Sequence, residues 1–289
     1  MKKVRKAVIP VAGMGTRFLP ATKSVPKEML PIVDKPTLQY IIEEVVESGI
    51  EEILLISSPY KKAIEDHFDR SYELESRLTA SSKIEQVEEI KKIAGLAKIF
   101  YIRQGEPMGS AHAIRLAKSF VGDEPFAVLY GDDLMHYEKG NPVLKQLIDL
   151  HYQTNGNIIG VQEVDPSLVS KYGIIEFEDV ANGKIKTIIE KPSVEEAPSN
   201  IAGLGRYIIN STIFDIIDEL QPGKGNEYQF TDAMKILMTK EPFYACKFAG
   251  KYYDTGSKIG YLKANIDFAL ERDDLKAELF EHLKQKIDA

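Results

Sequence analysis

Residues 11–27 read VAGMGTRFLPATKSVPK, placing Gly13, Gly15, Arg17, Lys23 and Lys27 directly behind a short apolar run. Glycines let backbone N–H groups approach an anion, and the cations neutralise it. Up to Lys35 the chain carries eight basic residues (Lys2, Lys3, Arg5, Lys6, Arg17, Lys23, Lys27, Lys35) against two acids (Glu28, Asp34), although its net charge is −7. Local basic charge on an acidic chain fits a small polyanion better than a nucleic-acid polymer, whose binders present a basic surface. Two phosphate motifs are excluded. A P-loop needs Gly-Lys-Ser/Thr four residues past its first glycine, and Lys23 comes too late; a dinucleotide fingerprint needs a third glycine where Phe18 stands. What is left is a strand end opening into a glycine-bearing loop, where parallel sheets bind ligands.

Other polar residues also stand at the ends of apolar runs. Gln104 closes IFYIRQ, Asp132 and Asp133 close FAVLYGDD, Asp254 opens DTG after KYY, and Glu190 and Lys191 precede Pro192. An acid at a strand end is ordinarily a turn or cap residue, which is the reading for Asp133. Neighbours in an extended strand face opposite ways, so Glu190 and Lys191 serve one ligand only if the backbone bends there.

The elements that would position these residues follow from apolar spacing. AVIPVA (7–12) and EILLIS (52–57) read as strands covered on both faces. Between them Leu38, Ile41, Ile42, Val45 and Val46 fall at helical spacing, with Gly49 as the stop. The βαβ pattern repeats through strands at 99–104, 126–133 and 157–164, with helices over AHAIRLAKSF and around Val143, Leu144, Leu147 and Ile148. Such alternation predicts an α/β fold with a mainly parallel sheet flanked by helices. In residues 65–98, Leu74, Leu78, Ile84, Val87 and Ile90 predict one or two amphipathic helices laid over the sheet, with no function assigned. From 172 the texture becomes strand-like, followed by helices at 211–220 and 229–239 and a long helical tail from about 258. Leu275, Leu279, Leu283 and Ile287 give that tail an apolar stripe, read as packing on its own domain with a subunit interface as the alternative.

A chain of 289 residues, 44% hydrophobic and 28% charged, reads as an ordinary globular protein. Its apolar runs fall short of the roughly 20 residues that span a bilayer. Pro10, Gly13 and Gly15 interrupt the apolar stretch of a would-be signal peptide, so the cytoplasm is the expected compartment. Cys246, the single cysteine, agrees with a reducing compartment and reads as a small core residue.

The run from Gly13 to Pro36, GMGTRFLPATKSVPKEMLPIVDKP, resembles the signature of the sugar-1-phosphate nucleotidylyltransferases. Its PKEML variant is similar to the bacterial UTP–glucose-1-phosphate uridylyltransferase branch. The resemblance continues through RQGEPMGSAHAI, LYGDD, YGII, IIEKP, APSNIAGLGRYII, NEYQFTDAM and YYDTGSKIGY, nearly the whole chain. It implies a Rossmann-like domain of nucleotide-diphospho-sugar transferase type over 1–289, with a nucleotide-binding part (1–165), a β-rich sugar-binding part (166–257) and a helical tail (258–289). The implied reaction joins UTP to glucose 1-phosphate, giving UDP-glucose and pyrophosphate with Mg²⁺ as cofactor. By the same resemblance Arg17, Lys27 and Lys191 are catalytic, and Asp132 and Asp254 hold the metal. Ala12, Gly13, Gly15, Gln104, Gly109 and Asp132 bind the nucleotide, with Glu28 a further acceptor for the base N3–H. Gly173, Glu190, Lys191 and Gly205 bind the sugar. No membrane or nucleic-acid polymer is implied, and the assembly is a homodimer or higher homo-oligomer.

One position departs from that pattern. Close uridylyltransferases read G-L-G-H-A where this chain has Gly109-Ser110-Ala111-His112-Ala113, and an alanine lacks the easy positive φ of glycine. The departure leaves open the same chemistry with dTTP or another sugar 1-phosphate. A catalytically silent regulatory paralogue is the alternative from another class.

Overall fold

The alternating pattern folds into a nine-stranded mixed sheet in a computed structural model that describes residues 2–287. The first half runs β1 (Lys6–Pro10), a small ribbon of β2 (Pro31–Ile32) and β3 (Lys35–Pro36), α1 (Thr37–Glu47), β4 (Glu52–Ser57), α2 (Lys62–Phe68), α3 (Tyr72–Ala80) and α4 (Ile84–Ala94). Then follow β5 (Lys98–Arg103), α5 (Ser110–Arg115), α6 (Lys118–Val121), β6 (Phe126–Leu129), β7 (Asp133–His136), α7 (Val143–Thr154) and β8 (Asn157–Glu163). The second half adds β9 (Gly173–Asp179), β10 (Lys184–Glu190), β11 (Ile201–Ile209), α8 (Ile213–Glu219) and α9 (Phe230–Leu237). It ends with β12 (Phe243–Lys247), β13 (Lys251–Asp254), α10 (Lys258–Leu270) and α11 (Lys276–Ile287).

The strand order is β5-β4-β1-β6-β11-β8-β12-β10-β9. Pairing is parallel from β5 through β4 and β1 to β6, and again between β8 and β12. β11 is antiparallel to both its neighbours, and β9 and β10 pair antiparallel at the far edge. Because β11 lies between β6 and β8, the later part of the chain is woven into the sheet of the earlier part. Side chains alternate across a strand, and here both faces are covered: Ala7 and Ile9 join one apolar cluster, Val8 the other. On α1, Leu38, Ile41, Ile42 and Val45 are fully buried, and the chain leaves the helix through Gly49 at φ 86°. Cys246 is a buried residue of β12, and burial pushes its thiol up to about 11.

Three expectations are corrected. Residues 65–98 form most of three helices, and of the five apolar positions only Val87 is buried, with Leu74 and Ile84 exposed. α4 reaches the protein interior through Val87 and Ile93 and packs against α2, while α3 packs against α4. The strand expected at 126–133 stops at Leu129, because Asp133 leaves the sheet to pair with Asp254 in the β7–β13 ribbon. The tail breaks into α10, anchored by buried Ala264 and Ala269, and α11, which packs against α10 with Leu275, Leu279 and Leu283 of the stripe half-buried and Ile287 exposed. Among the described residues no helix is long and apolar enough to cross a membrane.

Candidate active site

The carboxyl ends of the parallel strands lie side by side: Val11 N donates to Ile56 O at 2.8 Å and Gln104 N to Ser57 O at 2.8 Å. The glycine loop therefore opens at the same sheet edge as Gln104, with the end of β4 between them. Within the loop Thr22 Oγ1 donates to Gly15 O at 2.8 Å, and a 3₁₀ turn over Lys27–Met29 carries Lys27 back beneath it. Ala12 is half-buried, Gly13 exposed, and Lys27 Nζ comes 2.5 Å from Asp132 Oδ2. Burial disfavours the Lys27 charge, but the Asp132 and Glu28 carboxylates outweigh it and hold the amine above its ordinary value.

Glu28 does not offer a free acceptor to a base. It is 1% exposed, and both its oxygens take hydrogen bonds from Lys61 at 2.7 and 2.8 Å. Burial pushes Glu28 up and Lys61 down, each against the pull of the other charge. Lys61 was invisible in the sequence, where a lysine after a strand looks like any solvated residue.

Asp132 and Asp254 meet as expected, drawn together by the ribbon that pairs Asp254 with Asp133. Thr255 fastens the junction, its N and Oγ1 donating to Asp132 O at 2.9 and 2.7 Å. Arg17 bridges the pair, 3.7 Å from Asp132 Oδ2 and 3.6 Å from Asp254 Oδ2. A Cβ on Gly256 would overlap Asp132 Oδ2, lie 2.6 Å from Arg17 Nη2 and 3.0 Å from Asp254 Oδ1, so only glycine leaves the space between the carboxylates open. Among the described residues no group of three or more His, Cys, Asp or Glu is placed to hold a metal. Two carboxylates nevertheless suit Mg²⁺, which keeps waters and takes phosphate oxygens alongside one or two protein ligands. Asp133 is no turn residue: it accepts from Tyr252 Oη at 2.7 Å, and burial, then the Asp132 charge, raises it to about 7.

These acids line a cleft of about 590 Å³ together with Gly173, Glu190, Lys191 and Gly205. The backbone does bend at the end of β10: Lys191 has φ 46°, which brings Nζ to 3.1 Å from Glu190 Oε1. Gly173 stands opposite Glu190 in register, and Gly205 has φ 54° with its Cα against Asp133, where any Cβ would overlap the carboxylate. Lys171, Gln229 and Thr231 also line this cleft and were missed, although each stands inside or beside a segment that carried the resemblance.

Gln104 and Gly109 lie outside that lining, on the loop side. Gln104 is 6% exposed, its Nε2 3.4 Å from Gly109 O and 3.0 Å from His112 Nδ1. Gly109 has φ 108°, and a Cβ there would come 2.5 Å from Tyr228 O. Ala111 sits in the first turn of α5, is not among the residues of positive φ, and donates its N–H to Tyr228 O at 2.8 Å. Alanine therefore fits without strain. Lys23 is exposed, and Lys35 is paired with Glu43 at 2.7 Å.

A family model described as nucleotidyl transferase matches residues 6–270. A Bacillus subtilis protein named UTP–glucose-1-phosphate uridylyltransferase YngB is 52% identical over 288 residues, which cover 99% of this chain and 96% of that one. A Staphylococcus epidermidis UTP–glucose-1-phosphate uridylyltransferase is 47% identical, covering 99% of each chain. A crystal structure of UDP-glucose pyrophosphorylase complexed with UDP-glucose superposes with TM-score 0.85 at 41% identity, covering 93% of this chain and 100% of that one. UTP-bound UGPase from Acinetobacter baumannii gives TM-score 0.87 at 38% identity, over 98% of this chain and 99% of that one. With the glycine loop, the paired aspartates and the bent Glu190–Lys191 step in place, and with matches along nearly its whole length, the chain belongs to the nucleotidyl transferase family.

Proposed function

We propose that the protein transfers a uridylyl group from UTP to glucose 1-phosphate, giving UDP-glucose and pyrophosphate, as its relatives are named for doing. One observation carries this reading. Arg17, Asp132 and Asp254 line one cleft with Glu190 and Lys191, and Lys27 is paired with Asp132.

The sugar phosphate is already an anion at neutral pH, so its oxygen attacks the α-phosphorus without a general base. A new oxygen–phosphorus bond forms, the bridge to the β-phosphate breaks, and pyrophosphate leaves with that electron pair. Two anions must be brought into line, so the work is positioning and charge neutralisation. Lys27 lies beneath the loop that receives the triphosphate, and Arg17, 61% exposed, is free to turn from the carboxylates onto phosphate oxygens. In the same cleft Lys191 takes the sugar phosphate and Glu190 accepts from sugar hydroxyls. Asp132 and Asp254 would hold a divalent ion, Mg²⁺ in this reading, which when bound neutralises phosphate oxygens as a Lewis acid. Gln104, the Gly109 backbone and the Ala12–Gly13 loop read the base. A homodimer or larger homo-oligomer belongs to the same reading, and light scattering on the purified protein tests it.

The test of the activity is pyrophosphate release with glucose 1-phosphate and Mg²⁺, comparing UTP, dTTP, CTP, ATP and GTP, with an EDTA control. Metal-dependent turnover greatest with UTP is the expected result. Preference for dTTP would move the specificity and leave the mechanism; silence of folded protein with every nucleotide would overturn the reading.

A further inference from the structure

The hydrogen bonds around Gln104 settle which end of its amide faces which neighbour. Gly109 O, 3.4 Å from the amide, can only accept, so the group facing it is the NH₂; the reversed amide would set two oxygens against each other. The same NH₂ lies 3.0 Å from His112 Nδ1. That nitrogen must then be the unprotonated one, and neutral His112 carries its hydrogen on Nε2. With Nε2 engaged by Gly109 and His112, Oε1 is the amide atom left for a ligand.

We infer that His112 is the residue that sets base choice, by holding the Gln104 amide with its oxygen toward the pyrimidine. The inference rests on the proposed role of Gln104 as base reader. Uracil presents an N3–H that donates to this oxygen. Cytosine presents a lone pair at N3, which would face the oxygen without a proton between them. Were His112 absent, the amide would be restrained only by the long contact to Gly109, and turning it over would offer an NH₂ to cytosine instead. His112 thus acts through Gln104, and it is a positioning residue.

The main chain holds His112 where this requires. α5 begins immediately after Gly109, Ala113 N donates to Gly109 O at 3.1 Å, and Ala111 N donates to Tyr228 O at 2.8 Å. Tyr228 N donates in turn to Met108 O at 2.8 Å, so the turn is fastened on both sides, and the His112 ring lies 6.5 Å from that of Tyr228. Ala111, fully buried in this turn, packs inward and leaves the ring of its neighbour directed at Gln104.

Binding of UTP and CTP to the whole chain with Mg²⁺, measured by calorimetry, tests the inference. His112→Ala is expected to reduce the preference for UTP over CTP about tenfold, the factor one net hydrogen bond supplies. His112→Leu, which fills the space without an acceptor, gives the same loss if the alanine variant folds poorly. His112→Asn, whose Oδ1 replaces Nδ1 as acceptor, restores most of the preference. Equal weakening of UTP and CTP in both the alanine and leucine variants would overturn the inference, because a merely structural role moves the two together. Wild-type protein that prefers UTP in binding yet releases no pyrophosphate would remove the proposed activity and leave the role of His112 standing. An unaltered preference in Gln104→Ala would remove both.

Discussion

Two groups of charge meet at Gly205 of β11, which lines the cleft and precedes Arg206, and they are built in opposite ways. Behind the cleft Arg206, 0% exposed, donates to Glu44 Oε2 at 2.8 and 3.2 Å and to Gly205 O at 3.1 Å, while Glu44 Oε1 also accepts from Leu144 N at 2.9 Å. Each charge there is answered by the chain itself. In the cleft Arg17 reaches its two carboxylates only at 3.6 and 3.7 Å and is 61% exposed, and Lys191 is 55% exposed beside Glu190. Charge that the chain closes on itself holds the framework, and charge left open is available to a ligand. The backbone joins the two groups, since Arg206 grips the carbonyl of the glycine that lies against Asp133.

The largest expected effect separates the groups by activity. Asp132→Asn should lower kcat/KM about 10³-fold, about 4 kcal/mol, the scale of removing one preorganised electrostatic group from a transition state. Its stability to urea should fall by about 1–3 kcal/mol, less than the loss in activity, because Lys27, 18% exposed and 2.5 Å from Asp132 Oδ2, loses its charge partner. A variant that keeps turnover within tenfold of wild type would break the assignment of the cleft charges to chemistry.

Arg206→Met should do the reverse. Removing one partner of a fully buried pair strands the other charge, at a cost of about 3–5 kcal/mol in the free energy of unfolding. Adding Glu44→Gln keeps an acceptor for Leu144 N and removes the stranded charge, and it should recover about half of that loss. A single variant as stable as wild type in a urea titration would sink the claim that this pair closes the framework.

How far each group was legible in the sequence follows from how local its signals are. The strand-end loop, Asp132, Asp254 and Glu190–Lys191 all sit in short segments of distinctive composition, so they could be singled out, although the strand before Asp132 was drawn too long and the pairing of Asp132 with Asp254 followed only from the resemblance. The pairing of Glu44 with Arg206 spans 162 positions and is announced by nothing near either residue. Lys61 and Glu28 are 33 positions apart and were separated for the same reason: an ion pair leaves no periodicity. β11 was recognised as a strand, but its place between β6 and β8, antiparallel to both, depends on which edges the earlier strands leave free. The exposure of Leu74 on α3 and Ile84 on α4 was not legible, because amphipathic spacing reports that a face is apolar and is silent about what covers it.

The smallest expected effect concerns a gap in the closed framework. His151 on α7 is 2% exposed; its Nδ1 donates to Gly156 O at 2.8 Å, and its Nε2 is buried without a hydrogen-bond partner among the described residues. Burial lowers its pKa from the ordinary value of 6.5, and His67 is lowered in the same way. In the unfolded chain both rings take up a proton near the ordinary value, whereas the folded chain resists until the pH is lower. Stability is therefore undiminished above pH 6.5 and declines as the pH falls from there through the folded-state values. Urea titrations between about pH 7.5 and about pH 5.5 should show this decline, by less than the loss in Arg206→Met. His151→Gln, which retains a donor for Gly156 O and cannot titrate, should flatten part of the slope. An unchanged slope in that variant would place the acid sensitivity elsewhere, and a rise in wild-type stability on acidification would contradict the sign.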